Sequence, residues 1–311
     1  MTRPRQPSRP QGKAADLYAT VTAQIIAELE AGVRPWTRPW EAAHSAGPVS
    51  RPLRHSLEPY SGINVVLLWS RAMLAGYEAP IWMTFRQALS LGAHVRKGER
   101  GATVVYADRS VRTEAGDDGR DVDRTIPFLK AYTVFNIAQI EGLPDRFSGP
   151  VTETLDDGQR IDRAERFFAA TGADVRHGGD QAWYSPDLDQ VRMPPFGRFH
   201  DAQGYYATLA HECTHWTGHA SRLGRDQTGR MGTAAYAREE LVAELGAAFL
   251  CADLGLALRP REDHAAYLDH WLGVLREDKR AIFTAAAQAQ RACDHLTRPS
   301  IEGCDAWLIP P

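Results

Sequence analysis

Two histidines four residues apart constrain this chain more than any other feature: His211-Glu212-Cys213-Thr214-His215. Residues i and i+4 of a helix share a face. The stretch from about Gln203 to His219 is therefore predicted to be helical, with both imidazoles aimed at one ion. Glu212, about 100° round the helix, falls beside the open coordination position. A carboxylate there acts as the general base of metal-assisted hydrolysis. Cys213 points away from that face and reads as a packed core thiol. The pattern predicts a zinc site in a metallopeptidase-like domain.

HExxH also occurs by chance, so a third ligand is required. Glu239-Glu240-Leu241-Val242-Ala243-Glu244-Leu245-Gly246-Ala247 offers one on a second predicted helix, Thr233 to Leu254. Glu240 and Glu244 share a face there, and small Ala243 and Ala247 let this helix lie close to the motif helix. Two acids on one face otherwise repel by a few tenths of a kcal/mol, which a bound cation offsets. We expect Glu240 as third ligand and Glu244 as the acceptor of a histidine ring N–H. The two acids can exchange roles, and Glu239 is a further rival. His219 lies near the ligand face, eight residues after His211, and is expected on the supporting or substrate side. Gly218 fits a metzincin pattern, but Ser221 stands where that pattern needs its third histidine. The competing reading makes the histidines ordinary core or surface residues and the acids a solvated stripe.

The rest of the chain suits a globular protein with a sizeable core: 43% apolar and 24% charged. No apolar run reaches the roughly 18 residues of a membrane span. Residues Met1 to Lys13 are rich in Pro, Arg and Gln and read as a disordered basic tail, not a secretory signal. Cys213, Cys251, Cys293 and Cys304 form no CxxC pair, which suggests reduced thiols in a cytoplasm. Charge is uneven. Residues 1–110 carry 14 Lys+Arg against 8 Asp+Glu, while residues 111–311 carry 22 against 31. The basic front half is the candidate for nucleic acid.

Periodicity predicts helices at Asp16–Ala31, Ile63–Ala75 and Thr84–Leu91, with strands at Thr103–Ala107 and Phe128–Ile137 around a polar excursion from Glu114 to Arg124. A linker is expected near Gly142–Thr154. Beyond it come a helix at Gly158–Thr171, short strands at Ala182–Tyr184 and Gln190–Met193, the two site helices, and helices at Glu262–Arg276 and Asp278–Leu296. The expectation is an α+β chain of two domains. A basic tail spans 1–13, a DNA-binding domain 14–145, a linker 146–157, and a metallopeptidase domain with a small sheet and the HExxH helix 158–311.

Single-strand binders combine cations that follow phosphates with aromatic faces that stack on bases. Arg34, Trp36, Arg38 and Trp40 interleave both within seven residues. Tyr60, Arg86, Arg96 and Lys97, with Arg51, Arg54 and Arg100, are candidates to extend the groove. The alternative is that Trp36 and Trp40 plug the core, as most tryptophans do.

From end to end the chain resembles the ArdC-type antirestriction proteins, which are related to the TraC-type primase-associated proteins of conjugative plasmids. The resemblance is carried by Gly32–Trp36 with Pro39-Trp40, Tyr60–Asn64, Trp82–Ala88 and Val95–Glu99. It continues through Val134–Asn136, Gln139–Gly142, His211–His219, Tyr236 and Glu239–Phe249. It implies an N-terminal single-stranded DNA-binding domain and a C-terminal zincin metallopeptidase of the gluzincin kind. His211, His215 and Glu240 are then the implied Zn2+ ligands and Glu212 the implied base. It also implies protection of mobile-element DNA entering a recipient cell as a single strand, in the bacterial cytoplasm, with an unidentified protein as substrate. Two alternatives remain open from sequence: a DNA-tethered protease without an antirestriction role, and a DNA-coating protein with a purely structural zinc site.

Overall fold

A computed structural model describes residues 12–37, 50–115, 121–147, 157–256 and 264–298. The N-terminal part runs α1 (Gly12–Glu30), β1 (Leu53–Arg54), α2 (Ile63–Ala75), β2 (Ile81–Thr84), α3 (Phe85–Ser90), β3 (His94–Val95), β4 (Ala102–Ala115), β5 (Asp121–Asn136) and β6 (Ile140–Glu141). The C-terminal part runs α4 (Asp157–Ala170), β7 (Asp174–His177), β8 (Trp183–Ser185), β9 (Gln190–Met193), α5 (Ala202–Trp216), α6 (Ala234–Leu254), α7 (His264–Glu277) and α8 (Ala281–Leu296). The architecture is α+β, with two domains.

In the N-terminal part a four-stranded sheet has the order β1-β2-β5-β4, and β3 pairs with β6 beside it. α2 is buried at every position from Val65 to Ser70, because its sequence is apolar on nearly all sides. Its Asn64 side chain donates to the Val105 carbonyl (2.8 Å) and accepts from the Val105 N–H (2.7 Å). The amide thus docks α2 on β4 as a neighbouring strand would. Thr84 caps α3 in a reciprocal box with Gln87.

The long β4–β5 ribbon departs from expectation. Pairing runs unbroken from Ala102↔Val134 to Ala115↔Asp121, so most of the polar excursion is strand. Backbone hydrogen bonds sustain a two-stranded ribbon, and composition does not report them. The strands that sequence reading missed (β1, β2, β3, β6 and β7) are two to four residues long, too short to show a period. α1 starts at Gly12, so the last two residues of the expected tail are helical; residues 1–11 lie outside the described residues. Within the expected linker, Phe147 is buried against Ile81, Met83 and Ala93, whereas residues 148–156 lie outside the described residues.

The C-terminal part holds a three-stranded sheet, order β7-β9-β8, with β8 at its edge. α5 (Ala202–Trp216) packs on β8 and β9, and α6, packed in turn on α5, is buried along almost its whole length. The two parts share one apolar cluster, in which Val21, Ile25, Leu68 and Trp69 meet Phe249, Trp271, Ile282 and Ala286. Arg51 is buried across this junction, donating to Asp253 (2.9 Å) and Gln290 (2.7 Å), and so does not extend a DNA groove. Cys213, Cys251 and Cys293 are buried free thiols. Among the described residues no helix is long and apolar enough to cross a membrane.

Candidate metal centre

Asp201 caps α5 by accepting from the Gly204 N–H (2.8 Å), and the helix carries His211 and His215 one turn apart. Their Nε2 atoms are 3.2 Å from each other. Thr233 caps α6, which brings Glu240 across: one carboxylate oxygen is 3.5 Å from His211 Nε2 and the other 3.5 Å from His215 Nε2. Four ligands at tetrahedral corners about 2.0–2.1 Å from zinc would lie about 3.3 Å apart. The two Nε2 atoms are about that far apart, each has one Glu240 oxygen at a similar distance, and one ligand atom from each of the three residues falls within 4.8 Å of the others, so the donor set can close on a small divalent cation. Among the described residues it is the one such convergence of three ligand-type side chains.

The site is closely packed with charge. Burial alone pulls the His215 imidazole down, but hydrogen bonds and charge from Glu239 and Glu240 reverse this and lift it to about 10. Burial raises the Glu240 carboxyl, yet the two imidazoles outweigh it and hold the group far below the usual carboxylate range. Burial pushes the Cys213 thiol well above its ordinary value, consistent with a packed core residue.

Supporting groups stand behind both imidazoles. His215 Nδ1 meets Glu239 (3.1 Å), and Glu239 is held by Arg225 (2.9 Å) and Gln227 (3.2 Å). Arg225 also donates to the Thr214 carbonyl and the Thr217 hydroxyl. Glu239, weighed from sequence as a rival ligand, thus sits on the Nδ1 side of His215 and not among the converging atoms. Glu244 stands on the corresponding side of His211, 3.9 Å from Nδ1, which is ion-pair range but longer than a hydrogen bond. Arg225 and Gln227 were invisible in the sequence. They lie on an irregular loop after α5, and only its return path brings them back to the motif helix.

Expectation and structure part at His219. α5 ends at Trp216, so the eight-residue spacing from His211 no longer means a shared face. His219 Nδ1 instead pairs with Ser221 (2.7 Å) at the surface.

Glu212 is almost fully buried (3% exposed), yet it lines a cleft of about 880 Å³ together with His211, His215 and Glu240. The cleft walls include Trp183 and Tyr184 of edge strand β8, Tyr236 and Tyr267. Trp183 is 46% exposed there and Met231 77%.

Of the residues singled out for DNA, Arg86, Arg96 and Lys97 are exposed, with Arg96 paired to Glu99 (2.6 Å). Arg34 is half-buried. Arg38 and Trp40 lie outside the described residues. Trp36 (2% exposed) and Tyr60 (9%) are buried, so neither ring offers a face to a base. Trp36 is consumed by the shared core, and Arg54 covers the Tyr60 ring at 5.4 Å. Exposed aromatics appear instead at Tyr106 and Tyr132, whose rings lie 6.4 Å apart on β4 and β5. Tyr106 pairs with Lys130 and Tyr132 with Val104, which puts both tyrosines and the lysine on one face. Only the strand register reveals that grouping.

Two family models match the chain: zincin-like metallopeptidase over residues 162–288, and the N-terminal domain of anti-restriction factor ArdC over residues 15–135. An uncharacterised protein (y4eC) of Sinorhizobium fredii is 46% identical over 301 residues, covering 95% of each chain. A DNA primase TraC of Escherichia coli is 39% identical over 252 residues, 76% of this chain but only 23% of the primase. Among solved structures, the metal-free antirestriction ArdC protein from the R388 plasmid is 48% identical with a TM-score of 0.76, covering 90% of this chain and 96% of that one. Its Mn(II)-bound form is 47% identical with a TM-score of 0.72, covering 90% and 97%.

Proposed function

We propose, from the premise that this chain belongs to the ArdC-type antirestriction proteins, that it binds single-stranded DNA and hydrolyses peptide bonds at a divalent-metal centre, protecting mobile-element DNA that enters a cell. The observation that carries the peptidase half is the convergence of His211, His215 and Glu240 beside Glu212 on an open cleft. We assign Zn2+ as the cation on the nitrogen-rich donor set; the Mn(II)-bound relative makes the choice of metal a point to test.

A cation held by those three side chains supplies Lewis acidity, polarising a carbonyl and acidifying water. The protein's own groups do the rest. Glu212 accepts a proton from the attacking water as its oxygen bonds to the carbonyl carbon. It then delivers that proton to the amine nitrogen as the C–N bond breaks. Glu239 orients the His215 imidazole, and support of that kind is worth about 10–100-fold in metal affinity, while Glu244 places a carboxylate behind His211. The edge position of β8 along the cleft suits an extended peptide, which can add to a free strand edge. A purely structural site would have no use for a carboxylate at position 212 facing a large cleft.

For DNA, Arg86, Arg96 and Lys97 supply exposed positive charge, and Tyr106 and Tyr132 replace Trp36 and Tyr60 as the stacking faces. Each exposed ring adds about 1–3 kcal/mol per stacked base. The DNA-binding part is then residues 14–145 and the peptidase part 158–311. We place the action in the bacterial cytoplasm, on DNA arriving as a single strand, with a protein met at that DNA as the substrate.

The test compares the proteomes of cells carrying wild type or Glu212→Gln, alongside the metal content of both purified proteins. The expected result is equal metal content, with one or more host proteins cleaved by wild type alone. Equal cleavage by the variant would overturn the catalytic assignment.

A further inference from the structure

The sequence singled out Trp36 as a base-stacking residue, and the structure removes it from that role. Its indole lies buried in the shared core, and Nε1 donates to Glu244 Oε1 at 3.3 Å. The other oxygen of that carboxylate is the one 3.9 Å from His211 Nδ1. Trp36 and Glu244 are 208 residues apart in sequence, on opposite sides of the junction between the two parts. A second route leads from the same indole to the opposite corner of the site. Trp36 packs edge-on against Trp271 (6.0 Å), Trp271 stacks on Tyr267 (6.3 Å), and the Tyr267 hydroxyl meets that of Tyr236 (3.2 Å). Tyr236 in turn lines the cleft beside Glu240.

We infer that Trp36 is a positioning residue of the metal centre, supplied by the DNA-binding part of the chain: its indole N–H orients Glu244 behind His211. The inference rests on the proposed metal role of His211, His215 and Glu240. In a carboxylate this deeply buried, a hydrogen bond to one oxygen restricts where its second oxygen points. Trp36 holds one oxygen, which leaves the other directed at the His211 ring. A Phe ring fills most of the same apolar space but cannot donate. Whatever displaces the turn at residues 31–37 therefore also releases Glu244, which ties the state of the DNA-binding part to the affinity of the metal site.

The experiment measures Mn(II) affinity by chelator competition on the full chain for wild type, Trp36→Phe, Glu244→Gln and the double variant. The visible spectrum of the Co(II)-loaded forms reports ligand geometry in parallel. Trp36→Phe should weaken Mn(II) binding about tenfold, the low end for losing such a support, and shift the Co(II) bands. The metal-free Trp36→Phe protein should also melt lower than wild type, because a ring buried in the shared core is made smaller. In the Glu244→Gln background, Trp36→Phe should add little. Benzothienylalanine at position 36 keeps the ring shape and replaces N–H by sulfur, so it should behave like Phe even if the Phe variant folds poorly. Unchanged affinity in both position-36 variants, or effects of Trp36→Phe and Glu244→Gln that simply add, would overturn the inference. If wild type itself binds no Mn(II), Co(II) or Zn(II), the metal reading falls and this inference with it.

Discussion

Gly246 is where the packing of the two site helices can be probed most directly. A Cβ at this position of α6 would sit 2.5 Å from Thr214 Cγ2, 2.6 Å from Oγ1 and 3.1 Å from Cβ. Non-bonded carbons settle at about 3.5–4.0 Å, so Gly246→Ala demands about 1 Å of separation between α5 and α6. Thr214 cannot simply swing aside: it is fully buried and its hydroxyl donates to the Ala210 carbonyl (2.8 Å). Overpacking of this kind costs about 1–3 kcal/mol, while alanine regains about 0.5–1 kcal/mol of helix propensity. The net loss is about 0–2.5 kcal/mol, and at about 2–4 °C per kcal/mol thermal stability alone is a weak readout.

Metal binding is the strong one. Ligand distances tolerate about 0.2 Å, so a shift near 1 Å between the helix bearing His211 and His215 and the helix bearing Glu240 spoils the triangle. Affinity should fall by at least the roughly 10–100-fold lost when a ligand's support is disturbed. Adding Thr214→Ala removes the two closest atoms and should restore most of the affinity. Chelator competition with Mn(II) or Zn(II) measures each step. Wild-type affinity in Gly246→Ala would refute the claim that close helix approach sets the site.

Replacing Glu239 by Gln keeps an acceptor for His215 Nδ1 but removes the charge held by the buried Arg225, so metal affinity should drop about tenfold and the melting temperature should fall as well; isothermal titration checks both the constant and the stoichiometry. Saturating metal at about 100 times its dissociation constant should stabilise the folded chain by about 2.7 kcal/mol, roughly 5–10 °C. A chelator should reverse that gain, and His211→Ala should never show it. Asp189 is held at about 2 chiefly by hydrogen bonds from Arg222, against the opposing effect of burial. Its folded value lies below the unfolded value of about 3.9, so its stabilisation is present above about pH 4 and lost as pH falls through about 2. Urea midpoints of wild type and Asp189→Asn should therefore differ at neutral pH and converge in acid. A gap independent of pH would rule the carboxylate out as its source. Single-stranded DNA binding should weaken steeply with salt, and Tyr106→Ala with Tyr132→Ala should reduce it further; a flat titration would dismiss the basic surface.

What the sequence determined by itself is local. The four-residue spacing of His211 and His215 puts them on one face of any helix, and the caps at Thr84 and Thr233, the end of α2 at Gly76 and the all-round apolar α2 follow from neighbouring residues. Such features depend on dihedral preferences and on a fixed helical repeat, which operate within a few residues. Tertiary structure decided the rest. Glu239, Glu240 and Glu244 are alike in type and close in sequence. Only the crossing of α6 over α5 makes one face both Nε2 atoms while the others stand behind the rings. The helix end at Trp216 sent His219 to the surface, although its spacing suited the site. Burial turned Trp36 from a candidate stacking face into a support for Glu244. Pairing register gathered Tyr106, Lys130 and Tyr132 on one face of the ribbon. Each of these outcomes depends on which surfaces meet across large sequence separations, and a one-dimensional pattern of residue types carries no term for that.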